Sequence, residues 1–390
     1  MKPAGASRAA LWCLALGALV QGNGIAAGAQ PCSFPFQAPD IPWDAAAQLI
    51  SGVSSTVYAD PFTAEQKDAW TLYSRGVNAD WRRLKSQYLD RIGAWRSRAL
   101  SNFSTGKAGF YPFSGPDVAN LLAFFPEEGQ YIMIGLERVG CVPVSAADYT
   151  PAYFTDLRRS VRSIVALGFF RTVEMQRDFS GDGEGAVQGV LPALLLFLSR
   201  AGYSVVEVTP VGISRQGAVV PNLEQAKRET RGVAIQFKDA RHGVRTLTYF
   251  SLNLQNSALE RKPGTLRYLQ GLTSADTLVK AASYLMHYRN FSTVRSAILS
   301  QSRIVVEDDS GIPFHFFDAA TWDVHLYGTY TKPIALFKNS AQDDLREAFS
   351  SRPDVQPLEF GIGYRFRAHE SNLILAFRRP GLLPAALRGK

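Results

Sequence analysis

Residues 109–137 constrain the fold more than any other stretch of this chain. Positions 109–113 read as a short strand, 114–117 as a turn containing Gly115, and 118–125 as a helix. Pro126, Glu127, Glu128 and Gly129 break that helix, and the apolar run 130–136 reads as a buried strand ending at Glu137. Strand, glycine-containing turn, helix and strand within about 30 residues make a βαβ unit, and such units build parallel sheets with helices on the faces.

The flanking sequence extends this pattern. Val77, Trp81, Leu84, Tyr88, Ile92 and Trp95 recur at spacings of three and four, one face of a long amphipathic helix. Arg82, Arg83, Lys85, Arg91, Arg96 and Arg98 fall mostly on its other faces, as expected for a solvated outer surface. A short helix is expected at 43–49, and further helices at 151–167, 191–200, 275–288, 291–300 and 341–350. Strands are expected at 169–175, 203–209 and 303–307, with 211–214, 232–238 and 245–252 joined by polar turns as an antiparallel extension. The expected architecture is α/β, a mixed Rossmann-like sheet with antiparallel strands and an N-terminal helical extension. Its layout is an extended lead-in at 30–62, a single domain at 63–378 and a flexible tail at 379–390.

The first 29 residues point to export. Lys2 and Arg8 precede a twelve-residue apolar run, 9–20, followed by a Gly/Ala-rich stretch ending in Ala27, Gly28 and Ala29. That is the layout of a secretory signal peptide cut after Ala29, and the run is shorter than the roughly 20 residues a membrane span needs. The expected location is periplasmic or secreted, with no transmembrane segment in the mature chain. ATP, NAD and S-adenosylmethionine are scarce there, so no diffusible cofactor and no nucleic-acid partner is expected. The formal charge of +8 falls to +6 once Lys2 and Arg8 leave, which suits plain solubility or anionic envelope material. Cys13 leaves with the signal, and Cys32 and Cys141 remain. In an oxidising compartment they form either a disulfide or a free surface thiol and a buried one.

Several polar stretches could carry chemistry. Glu307, Asp308, Asp309, Ser310 and Gly311 follow an apolar β-rich run. Three carboxylates at a strand end could bind a divalent cation or, when crowded, keep a proton for acid catalysis. Asp308 and Asp309 are the candidate catalytic carboxylates, with His287 on an apolar helix face as a candidate base. Ser114, Gly115, Asp117 and Glu137 are candidate ligand-binding residues of the βαβ unit, although Asp117 or Ser114 equally suits a cap on the helix at 118. His315, Asp323 and His325 fit no metal motif, and the 178–183 stretch echoes a calcium loop without its closing Glu. No nucleophile elbow, zinc-helix motif or phosphate loop is present.

On the turn 113–117 and on Glu137, residues 109–137 resemble the opening of a Rossmann-like methyltransferase domain, in which a glycine turn approaches the cofactor and a strand-end acid holds the ribose. This chain departs from that pattern, with one glycine followed by Pro116. The strings FYPFSGPD, GLE, KAASYLMH and EDDSGIP also resemble a family of uncharacterised exported bacterial proteins, over most of 65–378. That likeness implies a natural folding unit and carries no catalytic residue. Three functions follow as expectations: an envelope hydrolase or transferase with a carboxylate-lined sheet-end pocket, a non-catalytic binding or assembly protein on an enzyme-like scaffold, or a methyltransferase-like protein.

Overall fold

The computed structural model describes residues 32–381 except 59, 102, 104, 105, 107, 168–186, 222, 227, 228 and 366. The expected signal peptide, the strand at 169–175, the calcium-loop-like stretch 178–183 and most of the tail lie outside the described residues.

Among the described residues, ten strands form one mixed sheet: β1 (Ala108–Tyr111), β2 (Gln130–Gly135), β3 (Ser204–Ile213), β4 (Val219–Val220), β5 (Arg231–Lys238), β6 (Arg245–Ser251), β7 (Ala275–Val279), β8 (Ser302–Glu307), β9 (Trp322–Gly328) and β10 (Asn372–Arg378). Their order is β4-β3-β5-β6-β2-β1-β7-β8-β10-β9. The central five, β6-β2-β1-β7-β8, are parallel, and the remaining strands pair antiparallel at both edges. The chain therefore builds outward from β1 through β2 to β6, then returns to the other side of β1 with β7. The order reverses between β1 and β7.

Alternate residues of the strands feed two cores. Tyr111, Tyr131, Met133, Ile304 and Val306 face α1 (Trp43–Ile50), α2 (Ala64–Leu84), α3 (Asp90–Ala99), α4 (Val118–Phe124), α5 (Pro151–Leu167) and α6 (Leu191–Arg200). Phe110, Ile132, Ile134 and Val305 face α7 (Asn256–Glu260), α8 (Pro263–Gln270) and α9 (Ser292–Gln301). The N-terminal helical extension is thus one outer layer of the sandwich. Thr63 and Gln66 cap α2 reciprocally, with bonds of 3.2 and 2.9 Å. A π-helical turn, Lys85–Leu89, joins α2 to α3 and keeps Val77, Leu84, Ile92 and Trp95 on the buried face. Cys32 and Cys141 are bonded to each other, which ties the start of the described chain to the segment after β2.

Three expected elements differ. Residues 275–288 are not a helix: Ala275–Val279 is the central strand β7, followed by a loop with a 3₁₀ turn at Leu285–His287. Each residue of β7 is buried, because a strand covered on both faces needs no alternation. The expected strands 203–209 and 211–214 are one strand, β3, with a bulge between Val205 and Glu207. Finally, β6 joins the antiparallel extension on one side only and pairs parallel to β2 on the other.

Candidate functional site

The loops after β1, β7 and β8 meet where the strand order reverses. Lys280, the first residue beyond β7, reaches across to Asp117 in the loop beyond β1, with Nζ 2.7 Å from Oδ2 and both side chains 2% exposed. The Tyr111 hydroxyl donates to Asp117 Oδ2 (3.1 Å), and Asn120 Nδ2 donates to Oδ1 (2.8 Å). The expected helix cap is therefore absent: Asp117 sits at the N-terminus of α4 but makes no side-chain capping bond. Its carboxylate turns to Lys280, since a buried ammonium needs a counter-charge more than a helix end needs an acceptor. Ser114 does not cap α4 either, its hydroxyl donating to the carbonyls of Gly115 (3.0 Å) and Ile134 (3.1 Å).

The β8 end supplies the acids. Asp308 Oδ1 accepts from the Ala281 amide (3.1 Å) and the Ser310 hydroxyl (2.7 Å). Asp309 accepts from the Tyr284 hydroxyl and from Asn372 Nδ2 (2.8 Å), while its own amide donates to Asn372 Oδ1 (2.8 Å). Asp308 and Asp309 are 2% and 4% exposed. Burial, reinforced by the Asp309 charge, pushes the Asp308 carboxyl up to about 7, with Lys280 acting in the opposite direction. Burial also raises Asp309 and raises Glu307 well above the usual carboxylate range. Glu307 Oε2 accepts from the Ile312 amide (2.9 Å) and braces the turn.

A strap from the segment before β10 seals this cluster. The Tyr364 hydroxyl donates to the Ala281 carbonyl (2.8 Å), accepts from the Ser283 amide (3.0 Å) and lies 2.8 Å from the Ser283 hydroxyl. Gly363 has φ +65°, and a Cβ there would lie 1.6 Å from Asp308 Oδ2. Only glycine lets the backbone close so tightly over the acid. Backbone strain concentrates in the same loops. Of the five non-glycine residues with positive φ among the described residues, Phe113, Ala281, Ser283 and Tyr284 lie in the loops after β1 and β7.

The structure brings Asp117, Asp308 and Asp309 together, and places His287 beside them. The His287 ring is 5.2 Å from that of Tyr284, the Asp309 partner. It stands in the loop after β7 and not on a helix face, and burial, with His315 and Arg295 nearby, lowers it to about 4, so it is neutral at pH 7. Glu137 stays with the adjacent strand ends: the Tyr249 hydroxyl donates to its carbonyl (2.9 Å), and its carboxylate lies against Gly135. Burial raises its pKa. Gly115 has φ +50°, as the turn requires, and does not contribute a side chain. His325 pairs with Asp323 (3.2 Å) and His315 approaches Asp344 (3.9 Å), apart from one another on exposed surface. Among the described residues no group of three or more His, Cys, Asp or Glu is disposed to hold a metal ion.

Lys280, Tyr284, Tyr364 and Asn372 are the members that sequence reasoning missed. Lys280 had a usable signal, a charge directly after Leu278 and Val279 and before Ala281 and Ala282. It marks a strand end once the stretch before it is recognised as a strand. Compared with known protein families, curated proteins and solved structures, the chain matches none.

Proposed function

We propose that the chain is an exported hydrolase or transferase on a Rossmann-like scaffold, with the Asp308–Asp309 pair as its acid–base centre. The observation that carries this is the convergence of Asp117, Lys280, Asp308 and Asp309 at the reversal of strand order, in loops that hold four of the five non-glycine residues with positive φ among the described residues. Open α/β sheets bind ligands at that crevice, and strained backbone gathers at sites kept for function. The parallel order 3-2-1-4-5 of β6-β2-β1-β7-β8 supports the scaffold assignment, and the Cys32–Cys141 bridge supports export.

In this scheme Asp308, titrating near neutrality, gives and takes the proton. Lys280 supplies a fixed positive charge for developing negative charge on substrate, and Asp117 holds Lys280 in place. Tyr284 orients Asp309. Because the acids are sealed, the Gly363–Tyr364 strap opens for substrate and closes to exclude water.

A non-catalytic binding protein on an enzyme-like scaffold is the second reading, favoured by the internal satisfaction of Asp308 Oδ1 and Asp309. A methyltransferase-like activity is third, because the Asp117–Lys280 pair and the folded-back Glu137 occupy the strand ends where a cofactor would lie. The test is turnover of chromogenic esters, phosphoesters and glycosides at pH 6–8 by the wild type and Asp308→Asn. The proposal expects wild-type turnover that falls at least roughly a hundredfold in the variant. No wild-type turnover on any of the three classes, or equal rates in the two proteins, contradicts it.

A further inference from the structure

The turn Ala335–Ser340 lies against the aromatic cover of this site. Its Phe337 packs on Tyr284, centroids 4.9 Å apart, and on Tyr364, 5.3 Å apart. The backbone kinks at Phe337, with φ −117° and ψ 33°. The neighbouring Leu336 is 80% exposed, more than any other large apolar side chain among the described residues. Lys332 and Lys338 flank it, both exposed, and Arg365 is held nearby by a bond to the Lys332 carbonyl. Of the acids that follow in the chain, Asp343 pairs with Arg346 (2.8 Å), and Asp344 lies 3.9 Å from His315.

A leucine held in water between two lysines matches a surface that is apolar beneath and anionic at its boundary. We propose that this turn docks onto an anionic lipid layer, Leu336 entering the apolar region while Lys332 and Lys338 meet the head groups. Apolar burial and lysine–head-group attraction are the two contributions that hold interfacial segments to such layers. Docking here sets the Phe337 cover of the buried acids against the layer. The docking stands whether or not those acids are catalytic. The basic outer face of α2 and α3, with Arg82 and Arg83 exposed, offers a less specific route to the same vesicles, so the test must locate the contact.

The experiment is co-sedimentation of the full chain with phosphatidylglycerol-rich vesicles and with phosphatidylcholine vesicles, together with emission spectra of Leu336→Trp. The expected result is partitioning onto the anionic vesicles only, lowered about tenfold or more by Leu336→Asp and about fivefold for each of Lys332→Glu and Lys338→Glu. The tryptophan emission of Leu336→Trp should shift to the blue when anionic vesicles are added. Three results overturn the proposal. One is the absence of partitioning. Another is partitioning that Leu336→Asp leaves unchanged, which assigns the contact to the basic helix face. The third is a blue shift that follows protein concentration without vesicles, which assigns the turn to a second copy of the chain.

Discussion

Lys280 and Asp117 show how one buried pair organises the centre of the molecule. Removing either partner strands a charge that the fold cannot solvate, whereas removing both strands neither. Lys280→Met should therefore cost about 3–5 kcal/mol in denaturant unfolding, and Lys280→Met with Asp117→Leu should recover most of that loss. An equal cost in the double variant would mean that the pair is not electrostatically linked. Gly363 gives a second test at this scale. An alanine there must adopt φ +65° and push into Asp308, so Gly363→Ala should cost about 2 kcal/mol or more, since the left-handed conformation alone carries about 1–2. A variant as stable as the wild type would show that the strap does not seal the acids. The acidic run 307–309 was legible in the sequence because charge after an apolar strand is conspicuous. Its surroundings were not, because its partner Asn372 and the covering Tyr364 come from a segment more than fifty residues away, and only the sheet order brings them near.

At the scale of elements, the βαβ unit was readable from sequence because its period changes sharply and Pro126 and Gly129 punctuate it. The α2–α3 face was readable for the same reason. The strand β7 was not. Ala275–Val279 is only five residues long, carries Asp276 and Thr277 and shows no clean alternation, and periodicity cannot separate a buried strand from a buried helix in so short a stretch. That one element also decided the site, since placing Lys280 and the 281–284 loop depends on ending a strand at Val279. The Cys32–Cys141 bridge is another element-scale feature, and spacing alone left it open. Closing a sequence separation of 109 residues, it should contribute about 3–5 kcal/mol. Replacing both cysteines with serine and measuring urea unfolding checks this. Unchanged stability would mean that the lead-in is held by packing alone.

Across the whole molecule, buried acids set the response to pH. At the amino ends of the strands, burial and the neighbouring Asp276 charge push Glu128 up to about 8. At the carboxyl ends Asp308 stands at about 7. Both titrate near 4 when unfolded, so the folded chain holds more protons over that interval and stability falls as pH rises through it. His287, lowered to about 4, opposes this only below about pH 6.5, where the unfolded histidine gains its proton. Between pH 6.5 and 8 the acids act without it, and stability should fall by about 2–3 kcal/mol. Glu128→Gln and Asp308→Asn should each flatten the decline. Stability that rises over this range would contradict the assignment of retained protons.

The most direct test of whether the sheet-end acids serve chemistry or merely hold the backbone is thermal melting at pH 8 of the wild type, Asp308→Asn and Asp309→Asn. Crowded carboxylates kept for function burden the fold, so neutralising either should leave Tm unchanged or raise it. A clear fall in both, equivalent to about 1–3 kcal/mol of lost hydrogen bonding, would show that they only brace their loops and would contradict the proposed acid–base centre.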